Sequence, residues 1–202
     1  MKENYSISLI PCKTAKEFIR SNHYSRGCHN GPSPNYGLFE NKSLIGCLMI
    51  ATPCSENVRS SVFGKVNKSK VRELHRLFII DDTPKNTESW FISRCLKMIR
   101  EDRPDLWGLI SFADTTEGHS GAIYRASNAI YCGMTSPANF YIDVDGRLRH
   151  PRQNGVNITL KNAESKGWRR VRRSAKHRFI FILGNKSEKR ERMKLLLLGA
   201  SE

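Results

Sequence analysis

The chain has 202 residues and carries 34 Lys and Arg against 19 Asp and Glu, a formal net charge of +15. That length suits one domain, 1–202, with a sizeable core. An apolar content of 39% without any run of membrane-spanning length excludes a disordered chain and predicts no membrane association.

The charge is uneven. Residues 147–194 hold 16 basic residues against three acidic ones, a net of +13, so the remainder nets only +2. So lopsided a surface points to a polyanion, and 147–194 is expected to be a basic nucleic-acid-binding segment. Acidic and polar residues near the amino terminus stand where an export signal would be apolar, which sets the expectation of a cytoplasmic protein. The six cysteines form no C-x-x-C pair and read as scattered reduced thiols.

In chain order, alternation over 5–10 predicts a strand closed by Pro11. Thr14 and Glu17 form a capping-box pattern for a helix over 15–22. A polar loop follows, with His23, Tyr24, Cys28 and His29, and such a loop is more often functional than idle. Its spacing is not that of a zinc site, and the metal stays unknown. Two apolar runs, 36–39 and 44–52, predict a β-hairpin. Residues 53–70 read as loop. The run 71–80 is a strong strand, whose alternation sets Val71, Glu73, His75, Leu77 and Ile79 on one side and Arg72, Leu74, Arg76, Phe78 and Ile80 on the other. Arg76 then lies among apolar neighbours, where an arginine needs a partner; Asp114 on a neighbouring strand is the natural one. Thr87 is expected to cap a helix over 88–101.

The stretch 108–133 organises the rest. Residues 109–113 form a buried-type strand ending at Asp114, a turn follows, 119–128 has helical spacing, and 129–132 is apolar again. A carboxylate at a strand's carboxyl end, facing a helix start, is where open α/β sheets hold ligands. Beyond it come a strand over 140–144, an Asp145-Gly146 turn with a hairpin return over 147–152, and the basic stretch 168–173. A strand over 179–183 and a helical segment over 186–194 follow. Leu195–Leu198 form an apolar patch able to pack back or to support a homodimer.

This succession is that of the GNAT acyltransferase superfamily, an α/β (α+β) fold with a mixed, splayed central sheet flanked by helices. Within it the chain resembles the Mom DNA-modification proteins of bacteriophages. The resemblance rests on Asn22-His23-Tyr24-Ser25, on Glu73-Leu74-His75-Arg76-Leu77-Phe78-Ile79, on residues 86–91, and on Ser111-Phe112-Ala113-Asp114 followed by Gly118-His119-Ser120-Gly121-Ala122-Ile123-Tyr124. These blocks keep their order across roughly residues 20 to 150; the basic tail agrees mainly in character.

The resemblance implies conversion of adenine in double-stranded DNA to a form whose exocyclic amine carries a methylcarbamoyl group, protecting phage DNA from restriction in a bacterial host cell. It implies site roles for Asp114, Tyr124, Arg76, His23, Tyr24 and Ser89, and brings iron as an expected metal. One departure matters. Where the superfamily carries a glycine-rich pyrophosphate loop, this chain reads Asp81-Asp82-Thr83-Pro84-Lys85-Asn86-Thr87-Glu88-Ser89, without glycine. Lys85, Asn86 and Ser89 remain candidates for holding an acyl donor, either acetyl-CoA or an activated glycyl group, the latter on a tRNA carrier.

Chemistry constrains the roles. The amine of adenine is a poor nucleophile, so a base and a stabiliser for the acyl oxygen are needed. Asp114 is expected as base or amine-orienting acceptor, Tyr124 as proton donor to the leaving group, and Arg76 as the partner of Asp114 or of the acyl oxygen. His23 and Tyr24 are expected to line the base pocket, and the base to be flipped out of the duplex. Trp168, Arg169, Arg170, Arg172, Arg173 and Lys176 are expected to contact DNA. The other classes are an ordinary GNAT N-acetyltransferase acting on a protein or small molecule, and a DNA-binding protein without chemistry.

Overall fold

The structure is a computed structural model that describes residues 4–23, 34–53, 55–153 and 156–198. Its elements in order are β1 (Tyr5–Leu9), α1 (Cys12–Asn22), β2 (Asn35–Glu40), β3 (Ser43–Ala51), α2 (Glu56–Phe63), β4 (Val71–Ile79), α3 (Thr87–Asp102), β5 (Gly108–Asp114), α4 (Ala122–Ala126) and β6 (Ile130–Met134). Then come β7 (Ala138–Ile142), β8 (Leu148–Arg149), β9 (Arg152–Gln153), β10 (Val156–Asn157), α5 (Leu160–Glu164), β11 (Arg169–Arg173), β12 (Lys176–Ile182) and α6 (Lys186–Leu198). The chain divides into two compact units: Met1–Phe112 with Gly121–Tyr131 and Phe179–Glu202, and Ala113–Ser120 with Cys132–Arg178. The segment 147–194 is thus shared between them.

A seven-stranded mixed sheet runs β1-β2-β3-β4-β5-β12-β6. β1 to β4 pair antiparallel, and β4 pairs parallel with β5. In the first unit Ala15 and Ile19 of α1 pack on Cys47 and Met49 of β3, with Ile10, Phe18 and Phe78 around them. The Tyr5 ring meets Trp90 of α3, centroids 6.0 Å apart. By register Tyr5 lies on the sheet face opposite Cys47, so α1 and α3 take opposite faces. Fully buried Ile19, Phe91, Ile92 and Ile99 anchor these helices, each worth about 1.5–3 kcal/mol.

Four local expectations are corrected. α1 starts at Cys12 after Pro11, without a side-chain cap; burial of Ala15 and Ile19 outweighs the local signal of Thr14 and Glu17. Residues 56–63, expected as loop, form α2, whose Val62 and Phe63 are buried, and a 3-10 turn covers Lys65–Lys70. The N-cap position of α3 is Asn86, left-handed and without a side-chain cap bond, not Thr87, whose hydroxyl donates to the Pro84 carbonyl. The helix expected over 119–128 shrinks to Ala122–Ala126, because Gly118 and Gly121 both adopt positive φ before it.

Gly121 is forced. At φ +74 its added Cβ would lie 2.2 Å from Cε2 of Phe179, a fully buried ring. Gly121→Ala is therefore expected to destabilise the protein by roughly 2–4 kcal/mol, through left-handed strain and overpacking. Urea unfolding of the variant checks this; a loss below about 1 kcal/mol contradicts it.

In the second unit β11, β7 and β8 form a small antiparallel sheet, and β9 pairs with β10. The β7–β8 turn is held by Asp143, whose Oδ1 accepts from the Asp145 and Arg147 N–H groups and whose Oδ2 accepts from Arg149. The described cysteines, Cys12, Cys47, Cys95 and Cys132, carry reduced thiols. No helix among the described residues is long and apolar enough to cross a membrane.

Candidate active site and nucleic-acid surface

The first cluster grows from an irregularity in β4. Met49 of β3 faces Arg76 and Ile50 faces Leu74, so the register skips His75: β4 carries one extra residue, a β-bulge. The bulge reverses the alternation beyond it. Glu73 faces Ala51 and Arg76 faces Met49, two residues apart on β3, so Glu73 and Arg76 leave the sheet on the same side. The expected separation of these two onto opposite faces is thereby corrected. The His75 Nδ1 lies 3.2 Å from Glu73 Oε1, both side chains half-buried.

The parting of β4 and β5 follows at once. Their ladder covers only Val71–Glu73 against Gly108–Ile110, while both strands run on. Where it stops, the Ser111 hydroxyl donates to the Leu74 carbonyl at 3.2 Å. Tyr124 of α4 reaches the same point. Its ring packs on Phe179 and Phe181, centroids 5.3 and 6.0 Å away, and its hydroxyl hydrogen-bonds Ser111. Burial pushes the Tyr124 phenol above its ordinary range; the Ser111 hydrogen bond and the Arg76 charge pull the other way, and the Glu73 charge adds to the rise. The phenol therefore stays protonated at neutral pH.

His23 closes α1 and is buried, its N–H donating to the Ile19 carbonyl at 2.8 Å. Its ring meets Phe78 edge-on at 6.5 Å, and by register Phe78 shares the sheet face of Arg76. Tyr24, Cys28 and His29 lie outside the described residues. Among the described residues no three His, Cys, Asp or Glu side chains come together to hold a metal ion. They offer no fit to the iron that the family resemblance brought.

A cleft of about 380 Å³ opens at the end of β4 and is walled by the start of α3 and by α4. Lys85, Asn86 and Ser89 line it, together with Asp81, Glu88 and Ile123. The first-turn N–H groups of a helix lack intrahelical acceptors and suit an anion. Two carboxylates against one lysine do not suit a pyrophosphate.

The second cluster belongs to the second unit. Asp114 is buried at the end of β5. Its Oδ2 lies 2.8 Å from Arg173 Nη2 and 3.0 Å from Lys176 Nζ, and its Oδ1 accepts the Thr116 N–H. Arg173 also reaches Glu117 at 2.8 Å. Burial alone would raise the Asp114 pKa; the Lys176 ammonium and the Arg173 guanidinium overcome this and hold it below the usual carboxylate range. So stabilised an anion is a strong acceptor and a weak base.

The basic residues expected to meet DNA divide accordingly. Arg173 and Lys176 are spent on Asp114. Trp168 is half-buried, with the Lys166 ammonium 5.0 Å from its ring and Tyr141 at 6.5 Å. Arg169, Arg170 and Arg172 of β11 are exposed. Sequence reasoning missed Glu73, His75 and Ser111 as site residues. The Glu73-Leu74-His75-Arg76 block was visible, but strict alternation set Glu73 apart from Arg76, and Ser111 read as strand interior.

A mixed sheet whose central parallel pair separates, with a helix-borne tyrosine at the gap, defines a GNAT-type acyltransferase fold. The putative acetyltransferase yncA from Salmonella typhimurium, solved with acetyl-CoA, shares it at a TM-score of 0.54 and 10% identity, over 92% of this chain and 97% of that one. Spermidine/spermine N-acetyltransferase SpeG from Vibrio cholerae matches at 0.52 and 10% identity, over 90% and 94%. Within that class the chain belongs to the Mom protein family, whose model matches residues 4–197. It is 31% identical to the methylcarbamoylase mom of Escherichia phage Mu over 201 residues, 94% of this chain and 80% of the relative. The chain is accordingly an enzyme of that family.

Proposed function

We propose that this enzyme modifies adenine in DNA, placing a methylcarbamoyl group on the exocyclic amine. The observation that carries the reading is the protonated Tyr124 hydroxyl at the parting of β4 and β5, bonded to Ser111 and beside Arg76 and Glu73. The cleft walled by α4 holds the acyl group, and Tyr124 of the same helix donates a proton to its leaving atom. Arg76 supplies a cation for the acyl oxygen. The Glu73–His75 pair takes the proton released by the attacking amine. In the second unit Asp114, held anionic, serves as a hydrogen-bond acceptor rather than a base. His23 borders the base.

The product's terminal nitrogen bears on the donor. Acetyl transfer yields an amide without that nitrogen. Transfer of a glycyl group from an activated ester to the amine yields an amide with a free amine and releases the carrier alcohol. Attack of that amine on the ring carbon, with departure of the amide nitrogen, gives the methylcarbamoyl product as an isomer, with no redox step. The acidic lining of the cleft favours this donor over acetyl-CoA. The test is mass spectrometry of nucleosides from DNA of cells expressing the protein and fed labelled glycine or acetate. Label from glycine in the added group, beyond the label that unmodified adenine carries in its ring, supports the reading; unmodified adenine alone defeats it, and acetylated adenine indicates an ordinary acetyl transfer.

DNA affinity is assigned to Arg169, Arg170 and Arg172, the exposed guanidinium groups of β11. Replacing all three by Gln is expected to flatten the slope of log affinity against log salt by about 3. Fluorescence anisotropy with duplex DNA reads this, and an unchanged slope removes β11 from the interface.

A further inference from the structure

A second cleft, of about 330 Å³, lies farther along α3 in the first unit. Ser93, Lys97 and Arg100 line it from α3, Asn128 from the turn after α4, and Lys189 from α6. No carboxylate is among its walls. Lys97, Arg100 and Lys189 are exposed, and none has a carboxylate partner among the described residues. The nearest acid on α6, Glu188, is engaged with Arg192 and with the Asn185 N–H. Three unneutralised cations converging on one concavity repel one another, a cost that an anionic ligand would relieve.

The ligand's shape follows from the layout. The cations stand on two different helices, so no single compact nest encloses one phosphate. Lys186 and Arg190, exposed on α6, extend the positive charge beyond the cleft. Phe181 and Leu183 give it an apolar floor, suited to a sugar or base edge. Ser89 lines the first cleft and Ser93, one turn farther along α3, lines the second. At 1.5 Å per residue, Lys97 lies about 12 Å beyond Ser89 along α3.

We infer that the Lys97–Arg100–Lys189 cleft binds the phosphodiester backbone of a nucleic-acid strand, as a site separate from the β11 arginines. The inference rests on the proposed nucleic-acid chemistry for its biological sense, but its test does not depend on that chemistry. The full chain is prepared with Arg169, Arg170 and Arg172 replaced by Gln, which isolates the remaining affinity. To it is added either Lys97→Gln, Arg100→Gln and Lys189→Gln, or a control triple, Lys13→Gln, Arg20→Gln and Lys42→Gln, at exposed positions elsewhere in the same unit. Single-stranded DNA, single-stranded RNA and coenzyme A are titrated across salt concentrations.

The cleft triple is expected to flatten the single-strand slope by about 2, the control triple by much less. Stronger retention of RNA or of DNA by the parent identifies which strand the cleft takes. Equal slopes for the two triples, or coenzyme A displacing the oligonucleotides at equal concentration, overturn the inference. Lys189→Glu alone provides a second variant, expected to weaken strand binding at least tenfold with the melting temperature unchanged; unchanged affinity again counts against the cleft. Nucleoside mass spectrometry on the wild type runs alongside. Absence of modified adenine there defeats the proposed function while leaving the slope result standing, and the reverse outcome does the opposite.

Discussion

Tyr124→Phe is expected to lower adenine modification by about 10²–10⁴-fold, the range for losing a positioned proton donor. The ring is retained, so packing on Phe179 and Phe181 survives, and the fold should stay intact. What is lost is the hydroxyl bonded to Ser111 at the mouth of the strand gap. Ser111 keeps its bond to the Leu74 carbonyl, so no buried acceptor is orphaned there. Because burial raises the Tyr124 phenol, the wild type should keep its donor protonated well above neutral pH, and no loss of rate through Tyr124 ionisation is expected between pH 7 and 9. Modified nucleosides counted in single-turnover reactions, with a melting curve beside them, check both points. Activity within twofold of wild type would show that Tyr124 serves packing alone.

Asp114→Asn removes a buried anion that holds two cations. It is expected to cost about 3 kcal/mol, the lower end for breaking a buried pair, because Arg173 keeps Glu117 and Lys176 is partly exposed. The pH dependence has a definite sign. The Asp114 pKa is lowered in the folded state, so its contribution is full above the unfolded carboxylate value near ~3.9 and is lost as pH falls through the lower folded value. The wild type should therefore lose stability below about pH 4, and the Asn variant should lose less over that window. Asp143 shifts in the same direction: burial would raise it, but the Arg147 N–H and the Arg149 guanidinium more than compensate. Whatever acid sensitivity survives in the Asn variant belongs partly to that second carboxylate. Urea midpoints from pH 3 to 7 resolve the two. Identical profiles for variant and wild type would mean that Asp114 contributes no net ion-pair stability.

These effects also separate two roles for one residue. An Asp114 that only orients substrate would lose rate on substitution without losing stability. An Asp114 that holds β11 and β12 in place through Arg173 and Lys176 should lose stability as well, and duplex-DNA affinity with it. Measuring melting temperature, affinity and turnover on the same preparation distinguishes them.

Much of this molecule was legible in its sequence, because the signals are local. Alternation marks β4, apolar spacing marks α3, and the Asp145-Gly146 turn marks its hairpin. The motif blocks around His23, Arg76, Asp114 and Tyr124 were enough to reach the family and its fold. The uneven charge was equally plain, since it needs only counting. The rest depended on partners distant in the chain. The bulge at His75 exists because β3 skips it, so which side Arg76 takes is decided by Met49 and not by the residues next to Arg76. Strand order along the chain pairs Asp114 with Arg76, yet the structure gives it Arg173, 59 residues on, and Lys176. Composition could count basic residues but not sort the ones neutralised inside the fold from Arg170, Arg172, Lys97 and Lys189, which face solvent. Periodicity is a property of neighbours along the chain; strand register and ion pairing are set by packing between segments, and only the tertiary structure decides them.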